Sequence, residues 1–142
     1  MAEYNLGFIY NAKGLIDDAI TALKRAIEIK PDYYEALNNL GIIYYAEGAL
    51  DNAIAMYENA IEANADYAES YYNLGTVYLE QGQLDNAISK LKQAVILAPS
   101  FLDAFYNLGI AYRKKGMLDE AVSVLNKASE IDPKDIKTLN NL

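Results

Sequence analysis

The side chains best suited to making and breaking bonds are missing from this chain. Its 142 residues contain no Cys and no His. That removes the thiolate nucleophile, the proton shuttle that works near neutral pH, and the ligands of most zinc, haem and iron–sulfur sites. Carboxylates are left as the strong metal ligands. Asp17–Asp18 and Asp119–Glu120 offer oxygen to calcium or magnesium, but no Asp-rich loop completes a ligand set. Negative charge in the first turn of a helix explains both pairs more economically. No metal and no cofactor are expected. Glu35, Glu69 and Asp103 recur every 34 residues, with no base, nucleophile or phosphate loop beside them. Catalysis needs reacting groups arranged around one substrate site, so no catalytic residue is assigned and the expectation is not an enzyme.

Residues able to bind without reacting are better represented. Asn5, Asn39, Asn73, Asn107 and Asn141 stand at the same 34-residue interval. An amide both donates and accepts, so such a column suits the N–H and C=O groups of an extended peptide whatever its sequence. The plainer reading is that these amides are tolerated on helix surfaces or bridge neighbouring repeats. Tyr supplies 13 of the 16 aromatic side chains, and tyrosine combines a large contact area with a polar tip at protein interfaces.

The elements that carry these residues follow from the repeat. Asn-Leu-Gly recurs at Asn5-Leu6-Gly7, Asn39-Leu40-Gly41, Asn73-Leu74-Gly75 and Asn107-Leu108-Gly109. Tyr10, Tyr44, Tyr78 and Tyr112 follow in register, then Gly14, Gly48, Gly82 and Gly116, then Ala19, Ala53, Ala87 and Ala121. Leu23, Tyr57, Leu91 and Leu125 precede Ala26, Ala60, Ala94 and Ala128. Tyr71, Leu74 and Tyr78 recur at helical spacing, as do Ala87, Ile88, Leu91, Ala94 and Val95, and Gly82 separates the two stretches. Small residues at Gly75, Ala87 and Ala94 allow two antiparallel helices to approach to about 8 to 10 Å. The expected helices are 2–13 with 17–29, 34–47 with 50–63, 68–81 with 84–97, and 102–115 with 118–131, and a ninth begins near Ile136. Pro31, Pro99 and Pro133 suit the turns between hairpins. Asn64 replaces that pattern in the second turn and is expected in the left-handed position.

This 34-residue unit, with Leu-Gly, Tyr, Gly, Ala, a large apolar residue, Ala and Pro in order, resembles the tetratricopeptide repeat family over essentially the whole chain. The resemblance implies an all-α, right-handed α-solenoid of helix-turn-helix repeats. It divides the chain into repeats 1–33, 34–67, 68–101 and 102–135, with a partial fifth at 136–142. It also implies a non-enzymatic scaffold that binds an extended or partly helical polypeptide in a concave groove lined by the first helix of each hairpin. The residues at matching inward positions include Tyr4, Asn5, Phe8 and Asn11, then Asn38, Asn39, Ile42 and Tyr45, then Tyr72, Asn73, Thr76 and Leu79, then Tyr106, Asn107, Ile110 and Arg113. The family's two-carboxylate clamp needs cations that neither repeat frame supplies: its basic positions fall on Tyr4, Glu69 and Asn73 in one frame and on Asn38, Asp103 and Asn107 in the next. One alternative function is self-assembly through terminal seams, with Leu139 and Leu142 as candidate contacts. Another is service as the non-catalytic arm of a larger enzyme.

Charge and hydropathy narrow the partners. Twenty acidic against twelve basic residues give a formal charge of −8, a field that repels phosphate backbones and anionic lipid. Nucleic acid is not expected. The sequence has no apolar run of membrane-spanning length and no signal at Met1-Ala2-Glu3-Tyr4, so direct membrane insertion is not expected and a cytoplasmic location is. The expected partner is a protein or peptide, or a second copy of the chain.

Overall fold

The computed structural model describes residues 2–134. Among them are eight helices: α1 (Ala2–Ala12), α2 (Ile16–Ile29), α3 (Tyr34–Ala46), α4 (Leu50–Ala63), α5 (Ala68–Glu80), α6 (Leu84–Leu97), α7 (Leu102–Lys115) and α8 (Leu118–Ile131). Each agrees with its expected span to within one residue at either end. The expected helix at Ile136, with Leu139 and Leu142, lies outside the described residues.

Within each hairpin the two helices touch where the first carries Gly. A Cβ placed on Gly75 would sit 2.7 Å from Leu91 Cγ, and one on Gly41 would sit 2.6 Å from Tyr57 Cε1. The same contact recurs at Gly7 with Leu23 and at Gly109 with Leu125. The small residue thus sets how closely the helices cross, and the large residue of the second helix fills the space. Ala19, Ala53, Ala87 and Ala121 are all buried. The turn inside each hairpin is closed by a glycine with positive φ, between 72° and 84° at Gly14, Gly48, Gly82 and Gly116. That conformation is costly for a side chain with a Cβ.

The turns between hairpins use a different device. Lys30, Asn64, Ala98 and Asp132 are the residues after the second helices, and their amides donate to the carbonyls of Ala26, Ala60, Ala94 and Ala128. Asn64 has φ −147° and ψ 98°, so the expected left-handed conformation is wrong. A proline after Lys30, Ala98 and Asp132 disfavours helical geometry at the residue before it. Asn64 reaches the same extended geometry without proline, and its Oδ1 accepts from the Asp66 amide at 3.1 Å, a side-chain turn of the kind Asn favours.

The chain divides into two compact units, 1–70 and 71–142. In the first, α2 packs on α3: Ile16, Ile20 and Ile27 lie against the cluster that contains Ala36, Leu40 and Ile43. In the second, Leu84, Ile88 and Val95 of α6 lie against the cluster that contains Leu108 and Ala111 of α7. In both units, then, the second helix of one hairpin lays an apolar stripe on the first helix of the next. The architecture is an all-α solenoid of stacked helix pairs.

Candidate protein-interaction surface

Most of the sequence-derived binding residues stand on the first helices, at positions left at least partly open by packing. In the first unit, Phe8 is 64% exposed and Ile42 is 40% exposed. With Asn11 and Asn39 they line a cleft of about 190 Å³ whose remaining walls include Leu23 and Ile43. Asn5 is exposed and Tyr45 half-buried. In the second unit, Tyr72, Asn73, Thr76, Asn107 and Ile110 are half-buried and Arg113 is exposed. Leu79 is only 8% exposed and packs with Ala87, Leu91 and Leu108. Its register is open in α1 and α7, where Asn11 and Arg113 occupy it, but here the aliphatic side chain turns into the core and offers no anchor to a ligand.

Two asparagines of the column bridge neighbouring repeats. Asn39 Nδ2 donates to Tyr4 Oη at 3.0 Å, and Asn107 Nδ2 donates to Thr76 Oγ1 at 3.0 Å. Thr76 Oγ1 in turn donates to the Tyr72 carbonyl at 2.9 Å. These bonds orient the amides and still leave each carbonyl oxygen with acceptor capacity. Tyr72 is held protonated above the usual phenol range chiefly by burial and then by the charge of Asp103, with hydrogen bonding to Thr76 and Asn107 acting the other way. Its ring meets Phe101 with centroids 4.7 Å apart, and Tyr4 meets Tyr33 in the equivalent place at 4.9 Å.

The second repeat departs from this pattern. The register occupied by Tyr4, Tyr72 and Tyr106 holds Asn38, and the register occupied by Ala2, Ala36 and Ala104 holds Ser70. The two exceptions meet: Ser70 Oγ donates to Asn38 Oδ1 at 3.1 Å, and both residues are buried. Tyr67, with no tyrosine at position 38 to stack on, meets Tyr34 edge-on at 4.9 Å. Register alone puts Asn38 on the binding face, whereas it is buried and bonded to Ser70. Two complementary departures in adjacent repeats were the available signal.

Nothing in the described residues resembles a reaction centre. No group of three or more His, Cys, Asp or Glu residues among them is placed to hold a metal ion. The acidic residues Asp17, Asp18, Asp119 and Glu120 lie in the first turns of α2 and α8. No described helix is long and apolar enough to cross a membrane.

Comparison with known proteins agrees with this geometry. The tetratricopeptide repeat pattern matches residues 32–100 and 78–142, and the TPR repeat pattern matches 7–48. No curated protein matches the chain. Among solved structures, MamA is similar with a TM-score of 0.89 at 30% identity, over 96% of this chain and 80% of that one. MamA from Desulfovibrio magneticus RS-1 gives 0.87 at 25% identity, over 96% and 77%. A tetratricopeptide repeat protein from Parabacteroides merdae ATCC 43184 gives 0.88 at 23% identity, over 99% of this chain and 56% of its own, a likeness of fold alone. The registered glycines and alanines, the helix pairs they shape and these matches together make the chain a member of the tetratricopeptide repeat family, whose solenoid fold is typical of protein–protein interaction scaffolds.

Proposed function

We propose that the chain is a non-enzymatic protein–protein interaction scaffold and that its open repeat seam joins it end to end with a second copy. A contrast along one register supports this reading. Leu6 is 39% exposed, whereas its equivalents Leu40, Leu74 and Leu108 are 2%, 0% and 1% exposed. Ile9, in the register of buried Ile43 and Val77, is 45% exposed. In the second and fourth hairpins these positions receive the apolar stripe of the preceding second helix, as α2 covers α3 and α6 covers α7. Leu118 and Val122 on α8 occupy the stripe positions and are 61% and 47% exposed. A head-to-tail contact would therefore repeat a seam the fold already makes, burying apolar area worth roughly 25 cal/mol per Å². Sedimentation velocity tests this. The parent chain should associate with rising concentration, and Leu6→Glu/Ile9→Glu and Leu118→Glu/Val122→Glu should each be monomeric alone. Mixed, the two variants should form a one-to-one pair through their intact faces. A parent chain that stays monomeric throughout would remove self-association and leave the α1 face to a different helical partner.

A second reading is favoured by the cleft at Phe8, Asn11, Asn39 and Ile42. There an extended or partly helical polypeptide would place apolar side chains on Phe8 and Ile42 and backbone groups on the oriented amides. In the second unit, taken by itself, the first-helix candidates Tyr72, Asn73, Thr76, Asn107, Ile110 and Arg113 would offer contacts of the same kind.

A further inference from the structure

The two units carry the same cleft on the side of the second helices, and its chemistry differs between them. In the first unit Ile27, Pro31, Leu37 and Ala63 form the apolar walls, Asp32 and Glu62 stand at the rim, and the volume is about 430 Å³. In the second, Val95, Pro99, Phe105 and Ile131 occupy the corresponding positions, Lys127 and Glu130 are at the rim, and the volume is about 460 Å³. Each wall residue of one cleft lies 68 residues from its counterpart, two repeats along the chain. The cleft is therefore a product of the repeat: the turn at proline leaves the last turn of one second helix and enters the next hairpin, and a large apolar residue of that hairpin's first helix lines the gap between.

We infer that the first of these clefts is a docking site for a basic, amphipathic polypeptide segment, which seats an aliphatic side chain between Pro31 and Leu37 and a Lys or Arg against Asp32 and Glu62. Three observations on charge select this occupant. The rim of the first cleft bears two carboxylates and no cation, and neither pairs with a described cation. The second cleft balances Glu130 with Lys127. The unit that holds the first cleft has twelve acidic and four basic residues, a net −8, while 71–142 has eight of each and a net of zero, so the first unit accounts for the charge of the whole chain. Residues 34–67 contribute six acids and no base. A field of one sign draws an oppositely charged segment, and the apolar wall beside the carboxylates gives the contact a place. This surface is separate from the α1 seam and from the first-helix cleft, and it depends on neither reading of them.

The test is a fluorescence-anisotropy titration of the full chain against a labelled peptide of repeated Leu-Arg-Gly units, with a Leu-Glu-Gly peptide as its acidic counterpart. The basic peptide should bind and the acidic one should not. Asp32→Asn/Glu62→Gln should weaken binding by about fivefold, as expected for two partly exposed ion pairs worth about 1 kcal/mol together. Glu47→Gln/Asp51→Asn removes the same charge from the opposite end of the second hairpin, so its effect should be about twofold or less. Equal losses in the two variants would mean that only the general field attracts the peptide and would overturn the site. No binding of the basic peptide would overturn it as well, as would a loss confined to Phe8→Ser/Ile42→Ser. If Asp32→Asn/Glu62→Gln abolished association of the chain with itself, the cleft would belong to a second copy and the proposed partner would be wrong.

Discussion

At the scale of single residues, the Asn38–Ser70 pair is the clearest departure from the repeat. A buried hydroxyl and amide cost stability unless they satisfy each other, and here they do. Ser70→Ala should therefore destabilise the chain by about 1 kcal/mol although alanine fits the register, because the buried bond from Ser70 Oγ to Asn38 Oδ1 is lost. A double-mutant cycle of Asn38→Ala and Ser70→Ala by urea denaturation should give a coupling of about 1 kcal/mol. Additive losses would show that the bond contributes nothing. Tyr57 supports a second prediction. Its ring is buried against Gly41, and burial, followed by the charge of Tyr45, pushes its phenol well above the usual range. A folded-state pKa raised above the unfolded value stabilises the neutral form: the contribution is complete below about pH 10, where the unfolded phenol titrates, and is lost as pH rises above that. Stability measured by urea unfolding should therefore fall more steeply above about pH 10 in the parent than in Tyr57→Phe. Parallel curves for the two proteins would contradict the assignment.

At the scale of helices, Gly75 and Gly82 do opposite jobs. Gly75 admits Leu91, whose Cγ would lie 2.7 Å and backbone nitrogen 3.2 Å from an added Cβ, whereas nothing lies within 4 Å of a Cβ on Gly82 but its φ is +72°. Gly75→Leu should cost more than Lys90→Leu in thermal denaturation, by about 2 kcal/mol or more, since overpacking a close crossing forces the helices apart. Lys90 is half-buried, with Nζ 5.9 Å from the Tyr71 ring centroid, so its replacement is not free, and equal losses would count against the crossing. Gly82→Ala should cost about 1 kcal/mol through backbone strain alone. These helix-level features were legible in the sequence because period, glycine and alanine report directly on spacing: the helix ends at Ala63, Leu97 and Ile131 agree with expectation. What the period did not carry was the identity of hydrogen-bond partners. Asn39 and Asn107 share a register with Asn5 yet reach neighbouring repeats, which depends on Tyr4 and Thr76 as much as on the asparagine. Register alone points Leu79 to the open face, but an apolar side chain at that edge gains more by turning inward than by facing water. The intrinsic propensity of Asn64 points to the left-handed region, whereas the extended geometry shared by all four turns prevails there.

At the scale of the whole chain, the uneven charge bears on any ligand of the first-helix face. With the net −8 carried by 1–70, a polypeptide bound at Phe8 and Ile42 should favour basic flanks, while Arg113, Lys114 and Lys115 in the last turn of α7 favour acidic ones. A client recovered by pull-down, with its contacts mapped by crosslinking, allows calorimetric titration to separate these contributions. Phe8→Ser/Ile42→Ser should weaken binding at every salt concentration, because loss of apolar anchors is not screened. Asn39→Ala and Asn73→Ala should each cost about 1 kcal/mol where the client's backbone is left unpaired, and less where water replaces the amide. The preference for a basic over an acidic client segment should shrink as ionic strength rises past about 0.15 M, where the screening length is about 8 Å. Each variant must first match the parent's helical circular dichroism and melting cooperativity, since Asn39→Ala also removes the bond to Tyr4 and a loosened repeat would imitate a binding defect. Folded first-helix variants that retain full affinity, alongside Leu6→Glu/Ile9→Glu that loses it, would move the client from the groove to the α1 seam, where Leu6 and Ile9 are exposed although their equivalents Leu40, Ile43 and Leu108 are buried.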